Sequence, residues 1–207
     1  MTASLIVIDD FLGNPYEIRD IALGLDYPDP GERTAYAGRN SSQRLRIDGL
    51  EAEISRIVAE KVEANRDSMH ATCRITLAGA TGQNTVHVDP GQWSGTLYLT
   101  LPEYCTGGTD FFRHLPTGTD GVPITPAEQA ATGIFSFRDV FDRILGPDAN
   151  DSTKWERVLR IPMRFNRLVL FRPWLWHSGG PGFGTSLENG RLVYLMFFLA
   201  AGIASVA

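Results

Sequence analysis

Apolar and polar positions change their period along this 207-residue chain: helical spacing rules the first seventy residues, and short alternating runs follow from Cys73. A β-rich run, SLIVI, leads into a predicted helix for which Asn14 is the cap, Pro15 suits the first position and Glu17 can reach back to the cap. Ile18, Ile21, Ala22 and Leu25 then share one face. A second helix is predicted from Asp48 as N-cap with Glu51 three residues on. It sets Ile54, Ile57, Val58 and Val62 on one side and Glu53, Glu60 and Lys61 largely outward. Residues 27–45, rich in Pro, Gly and Ser, read as an irregular connection with short extended pieces.

Beyond them come CRITLAG, NTVHVD, GTLYLTL, TDFFRH, NRLVLFRPWLW and RLVYLMFFLA, separated by glycine and proline. Strands at this spacing predict a β-sandwich or small barrel. Residues 115–160 interrupt the series, first with LPTGTDGVPITP and then with predicted helices near 126–131, 137–144 and 152–159. An insertion of this length beside a barrel mouth is expected to cover a substrate site. With 43% apolar and 21% charged residues, the chain reads as one domain over 1–207: residues 1–70 as helical support and 71–200 as the β core.

Charge changes the picture little. A net charge of −5 without a basic cluster argues against nucleic acid as a partner, and no apolar run is long enough to span a bilayer. Cys73 and Cys105 are the only cysteines and are expected to be free thiols in a reducing, cytoplasmic setting.

The chemistry gathers at few positions. His87 and Asp89 lie two apart, so in an extended segment both side chains leave the same face, and Pro90-Gly91 then ends the run at a rim. The competing reading is a hydrogen-bonded His/Asp pair at a strand end. His177 follows a doubly buried run ninety positions later and precedes Ser178-Gly179-Gly180-Pro181. Two imidazoles and one carboxylate on a single face of an octahedral iron leave three positions open for cosubstrate and oxygen. Arg191 heads nine apolar residues, and a guanidinium there needs a carboxylate, because it cannot lose its proton. Along GTLYLTL, Thr96, Tyr98 and Thr100 form a hydroxyl-bearing face that is expected to line the cavity.

The order of HVD, YLT, Gly107-Gly108-Thr109, NRLVLF leading to Trp176-His177-Ser178, and finally Arg191 resembles the iron and 2-oxoglutarate dependent oxygenase superfamily, nearest its prolyl-hydroxylase-like branch, over about residues 70 to 200. The whole chain, with its DDFLGNP opening and GGTDFFRH, also resembles a little-characterised bacterial family of such oxygenases. The resemblance implies a double-stranded β-helix, a jelly-roll, with N-terminal helices packed on one sheet. It implies Fe(II) held by His87, Asp89 and His177, and 2-oxoglutarate anchored by Arg191 with help from Tyr98. Hydroxylation of a C–H group with O2, yielding succinate and carbon dioxide, is the implied reaction. Thr100 replaces the usual Asn, and fourteen positions separate His177 from Arg191, more than is usual in the branch.

The insertion at 115–160 bars any transfer of substrate. Trp93, Phe111, Arg113, Arg172 and Trp174 are candidates for the cavity rim, which would suit a small amino-acid-like or peptide ligand. A rival of another class is a non-oxidative cupin-type module, binding a metal or ligand through His87, His114 and His177. A third reading is a degenerate scaffold for protein interaction, without metal.

Overall fold

The computed structural model describes residues 3–29, 31, 35–82 and 85–202; Asn84, which opens NTVHVD, lies outside them. The chain is mainly β, a jelly-roll of two facing antiparallel sheets with helices packed on one of them. The described residues form ten strands: β1 (Leu5–Ile8), β2 (Arg39–Arg44), β3 (Val62–Ala64), β4 (Thr72–Thr76), β5 (Trp93–Tyr98), β6 (Gly108–His114), β7 (Trp155–Pro162), β8 (Leu168–Phe171), β9 (His177–Ser178) and β10 (Arg191–Ala200). The major sheet runs β1-β8-β5-β10-β4-β2, with β3 also on β10, and the minor sheet runs β7-β6-β9.

The period of two in the sequence explains the layering. Cys73, Ile75, Trp93, Leu97, Leu168, Leu170, Leu192, Tyr194, Met196 and Phe198 turn to the outer face of the major sheet, where Ile18 and Ala22 of α1 (Pro15–Leu23) and Leu50, Ile54 and Val58 of α2 (Leu50–Val58) cover them. The alternate positions Tyr98, Val169, Phe171, Val193 and Leu195 turn inward and meet Phe111 of β6. Each fully buried side chain of this size contributes roughly 1.5–3 kcal/mol. Arg19 fastens α1 from its buried face, donating to the carbonyls of Leu99 at 2.6 Å and Glu188 at 2.7 Å.

Local details depart from the sequence reading. Asn14 donates to Glu17 at 2.5 Å and does not cap α1 through its side chain, while α2 starts after Gly49, whose φ of 77° only glycine adopts easily. Asp48 instead pairs with Arg46 in solvent. Val62 falls in β3 because the helix ends at Ala59, in the left-handed region. Residues 39–44 form β2, one of the short extended pieces read within the 27–45 connection.

The insertion contains α3 (Pro126–Thr132), capped by a reciprocal Thr125–Glu128 box, and α4 (Phe137–Val140), which runs into a π-helical turn at 141–145. The helix expected at 152–159 is absent: Trp155 opens β7, because pairing along β6 outweighs the helix propensity of its Glu, Arg and Leu. Ile134, Val140, Ile144 and Leu145 pack with Trp155, Trp176, Val86 and Val88. The insertion therefore buttresses the segment that carries His87 and lines none of the central cavity. Both cysteines are free, and no helix among the described residues is long and apolar enough to cross a membrane.

Candidate metal centre

Three side chains from distant parts of the chain converge between the sheets. His87 and His177 form a two-residue antiparallel bridge that extends the minor sheet, with N–O distances of 2.9 and 3.0 Å. Asp89, two residues on, is fixed by its amide donating to the Pro173 carbonyl at 3.0 Å. One ligand atom from each of His87, Asp89 and His177 can be chosen so that all lie within 4.8 Å of one another, and no other such group of His, Cys, Asp and Glu occurs among the described residues.

The donor chemistry fits a cation. His177 Nδ1 lies 2.8 Å from the Leu175 carbonyl, which can only accept, so Nδ1 carries the proton. In the neutral ring Nε2 then presents a lone pair to Asp89 Oδ2 at 3.2 Å. Two acceptors face each other there, and a proton or a metal ion must lie between them. Asp89 Oδ1 stands 3.9 Å from His87 Nε2, and Ser94 Oγ donates to Asp89 Oδ2 at 2.8 Å.

Burial pushes the His87 imidazole down to about 3, helped by the neighbouring His177 charge, so the ring is neutral at ordinary pH and able to offer a lone pair. Burial pushes the Asp89 carboxyl up, but attraction to His177 and His87 when they carry a second proton, the hydrogen bond that a protonated His177 Nε2 would donate and the one from Ser94 outweigh it and hold the group at about 2. Aromatic rings wall the imidazoles: Tyr36 lies 4.5 Å from His87 and Phe171 4.6 Å from His177, centre to centre.

The triad opens on a cavity of about 670 Å³, within the range of small-molecule sites. Arg191 lines it, 5% exposed, with its Nε buried and without a hydrogen-bond partner. Gly179 leaves the space beside that guanidinium: a Cβ there would stand 3.3 Å from an Arg191 terminal nitrogen. Burial lowers the guanidinium from its ordinary value, with Tyr98 and Asp110 opposing, yet arginine remains charged. Asp110 does not neutralise it, being clamped in both oxygens by Arg160 at 2.6 and 2.7 Å.

Tyr98 reaches this cation only by its ring, 6.0 Å from the guanidinium carbon. Its hydroxyl, fully buried, pairs with Thr109 Oγ1 at 2.7 Å, and Thr109 rather than Tyr98 faces the cavity. Of the hydroxyl face read from β5, Thr96 lines the cavity, whereas Thr100 bonds the Gly190 carbonyl at 2.8 Å.

His114 does not join the triad. Its Nε2 lies 3.0 Å from Asp148 and its Nδ1 2.9 Å from Thr117, so the three-histidine alternative fails on geometry. None of the five proposed rim residues lines the cavity. Trp93 faces the helices, with Arg172 stacked over it at 4.0 Å and ion-paired to Glu60. Phe111 packs edge-on against Phe171, Arg113 pairs with Asp120 at the surface, and Trp174 lies 5.4 Å from Arg172. The walls come instead from residues such as Tyr36, Asn40, Arg74, Val193, Leu195 and Phe197. Arg74 was legible: in CRIT it stands between two apolar residues of the outer face and so must point inward.

Two histidines and one aspartate meeting inside a jelly-roll make the donor set associated with non-haem Fe(II) oxygenases. The chain belongs to the family of unknown function DUF6445, whose model matches residues 1–198. Among solved structures it is similar to HygX from Streptomyces hygroscopicus with nickel, 2-oxoglutarate and hygromycin B bound, at a TM-score of 0.56 and 12% identity over 98% of this chain and 85% of that one. It is also similar to the non-haem alpha ketoglutarate dependent carbocyclase SnoK from nogalamycin biosynthesis, at a TM-score of 0.51 and 12% identity over 94% of this chain and 79% of that one. No curated protein matches it. These likenesses establish the oxygenase fold.

Proposed function

We propose that the protein is an Fe(II) and 2-oxoglutarate dependent dioxygenase that hydroxylates an unactivated C–H of a small amino-acid-like or peptide substrate. The observation that carries this is one cavity holding both the His87–Asp89–His177 triad and the buried Arg191 guanidinium, whose Nε has no hydrogen-bond partner. Bound Fe(II) would supply the oxidising chemistry with O2 at the expense of the keto acid. His87, Asp89 and His177 would hold the metal through two neutral nitrogens and one carboxylate oxygen. Arg191 would grip the distal carboxylate of 2-oxoglutarate, with Thr109 beside it and Tyr98 fixing the Thr109 hydroxyl.

Phe171, Val193, Leu195 and Phe197 keep the cavity wall apolar and exclude water from the reacting groups. HygX, with nickel and 2-oxoglutarate bound, and the ketoglutarate-dependent SnoK support the class and leave the reaction outcome to this chain's own pocket. The two free thiols suit a reducing, cytoplasmic setting. The test is succinate formation by the Fe(II)-loaded protein with free amino acids and short peptides. Substrate-dependent succinate that disappears in Asp89→Ala supports the reading, and equal turnover by that variant rejects it.

A further inference from the structure

The cavity contains a second cation that the proposed cosubstrate site does not use. Arg74 lies opposite Val193 in the β4–β10 ladder while Arg191 lies opposite Thr76, so the two arginines are diagonal neighbours on one face. Both line the central cavity and a smaller adjoining recess of about 390 Å³. Arg74 Nε donates to Asn40 Oδ1 at 2.7 Å, and its guanidinium carbon sits 5.4 Å from the Tyr36 ring. Neither arginine forms an ion pair among the described residues: Asp110 serves Arg160, Asp148 faces His114, and Asp89 faces the two histidines. Burial lowers the Arg74 guanidinium from its ordinary value, and repulsion from Arg191 lowers it further.

Counting charge decides what the space is built to receive. A divalent metal, Arg191 and Arg74 set against Asp89 leave three positive charges, and dianionic 2-oxoglutarate neutralises two. One remains. Arg191 is the fitter anchor for the keto acid, because its Nε is free and Gly179 clears the space beside it, whereas Arg74 Nε is already held by Asn40. A single unmatched charge calls for a monoanion, which favours a carboxylate over a doubly charged phosphate.

Resting on the oxygenase reading, we propose that Arg74 is the anion-binding residue of the substrate pocket, and that the substrate is a small acid of net charge −1 whose carboxylate Arg74 holds, with Asn40 and Tyr36 beside it. The test uses the full chain loaded with Mn(II), read by metal-induced broadening of the proton signals of added propionate and propionamide, with 2-oxoglutarate at saturation. Propionate is expected to broaden about tenfold more than propionamide at equal concentration, the discrimination of one charge-assisted contact. Arg74→Gln should bring propionate down to the propionamide level while binding 2-oxoglutarate within about twofold of wild type, which also shows that the variant is folded; Arg191→Gln should lose 2-oxoglutarate instead.

Wild-type-like broadening of propionate in Arg74→Gln, equal broadening of the two probes, or loss of 2-oxoglutarate in Arg74→Gln would each overturn the proposal. Should loaded wild type fail to bind 2-oxoglutarate, the oxygenase reading falls. The same propionate comparison without the keto acid then judges Arg74 separately.

Discussion

His87 and His177 are joined main chain to main chain, each amide donating to the other's carbonyl, with their rings 4.4 Å apart. Residues paired in this way project side by side from the same face of a sheet. Two proposed ligands ninety positions apart in sequence are thereby set by the backbone itself rather than by long adaptable side chains. The centre is preorganised, and the entropy of bringing the rings together is met in folding rather than in metal binding.

Ser94→Ala should weaken metal binding without dismantling the fold. The Ser94 hydroxyl orients Asp89 from 2.8 Å, and losing such a supporting contact typically lowers metal affinity about 10–100-fold. Competition for Fe(II) against a chelator of known affinity measures this; unchanged affinity contradicts it.

Gly179→Val should act on the cosubstrate alone. Even a Cβ at this position would crowd Arg191, and the valine methyls would occupy the space proposed for the cosubstrate carboxylate. The KM for 2-oxoglutarate in succinate formation is expected to rise about tenfold or more, the scale of one charge-assisted contact. A KM within twofold of wild type would show that the distal carboxylate binds elsewhere.

Arg172→Met should destabilise and leave the chemistry intact. The guanidinium is buried against Trp93 and paired with Glu60, and it does not line the cavity, so its removal leaves the Glu60 carboxylate without its cation. With Glu60 still partly in contact with water, the cost is roughly 3 kcal/mol, the low end for breaking a buried pair. Urea unfolding checks the loss, and an unchanged KM for 2-oxoglutarate checks the separation of roles.

Acid should destabilise the metal-free protein partly through His87. Its pKa is near 6.5 in the unfolded chain and about 3 in the fold, so the unfolded state takes up the proton first. This contribution to stability is complete above pH 6.5 and declines as pH falls toward 3, by up to about 1.4 kcal/mol per pH unit. His87→Gln removes the titrating ring, so the stability gap between it and wild type should shrink as pH drops from 7 to 4.5. A gap constant across that range in denaturant titrations is the contrary result.

The architecture was legible where one face of an element is buried. Short apolar runs separated by glycine and proline announced a β-sandwich or small barrel, the resemblance to the oxygenase superfamily narrowed it to a jelly-roll, and His87, Asp89, His177 and Arg191 stood out as polar groups at the ends of apolar runs. What stayed hidden depends on pairings far apart in sequence. Glu60, read as an outward helix residue, captures Arg172 across 112 positions, which turns a supposed rim arginine into part of the packing. Residues 152–159 read as a helix by composition, and from Trp155 on they become a strand only because β6 offers a partner. Tyr98 was placed on the right strand and beside the right arginine, but nothing in the sequence shows that Thr109 takes its hydroxyl.

The most direct measurement is anaerobic addition of 2-oxoglutarate to the Fe(II)-loaded protein, followed by visible absorption. The account predicts the weak charge-transfer band of a keto acid chelated to iron, appearing at one iron per chain, absent in Asp89→Ala and demanding about tenfold more 2-oxoglutarate in Arg191→Gln. Tight iron binding with no such band, or a band unaffected by either substitution, would contradict it.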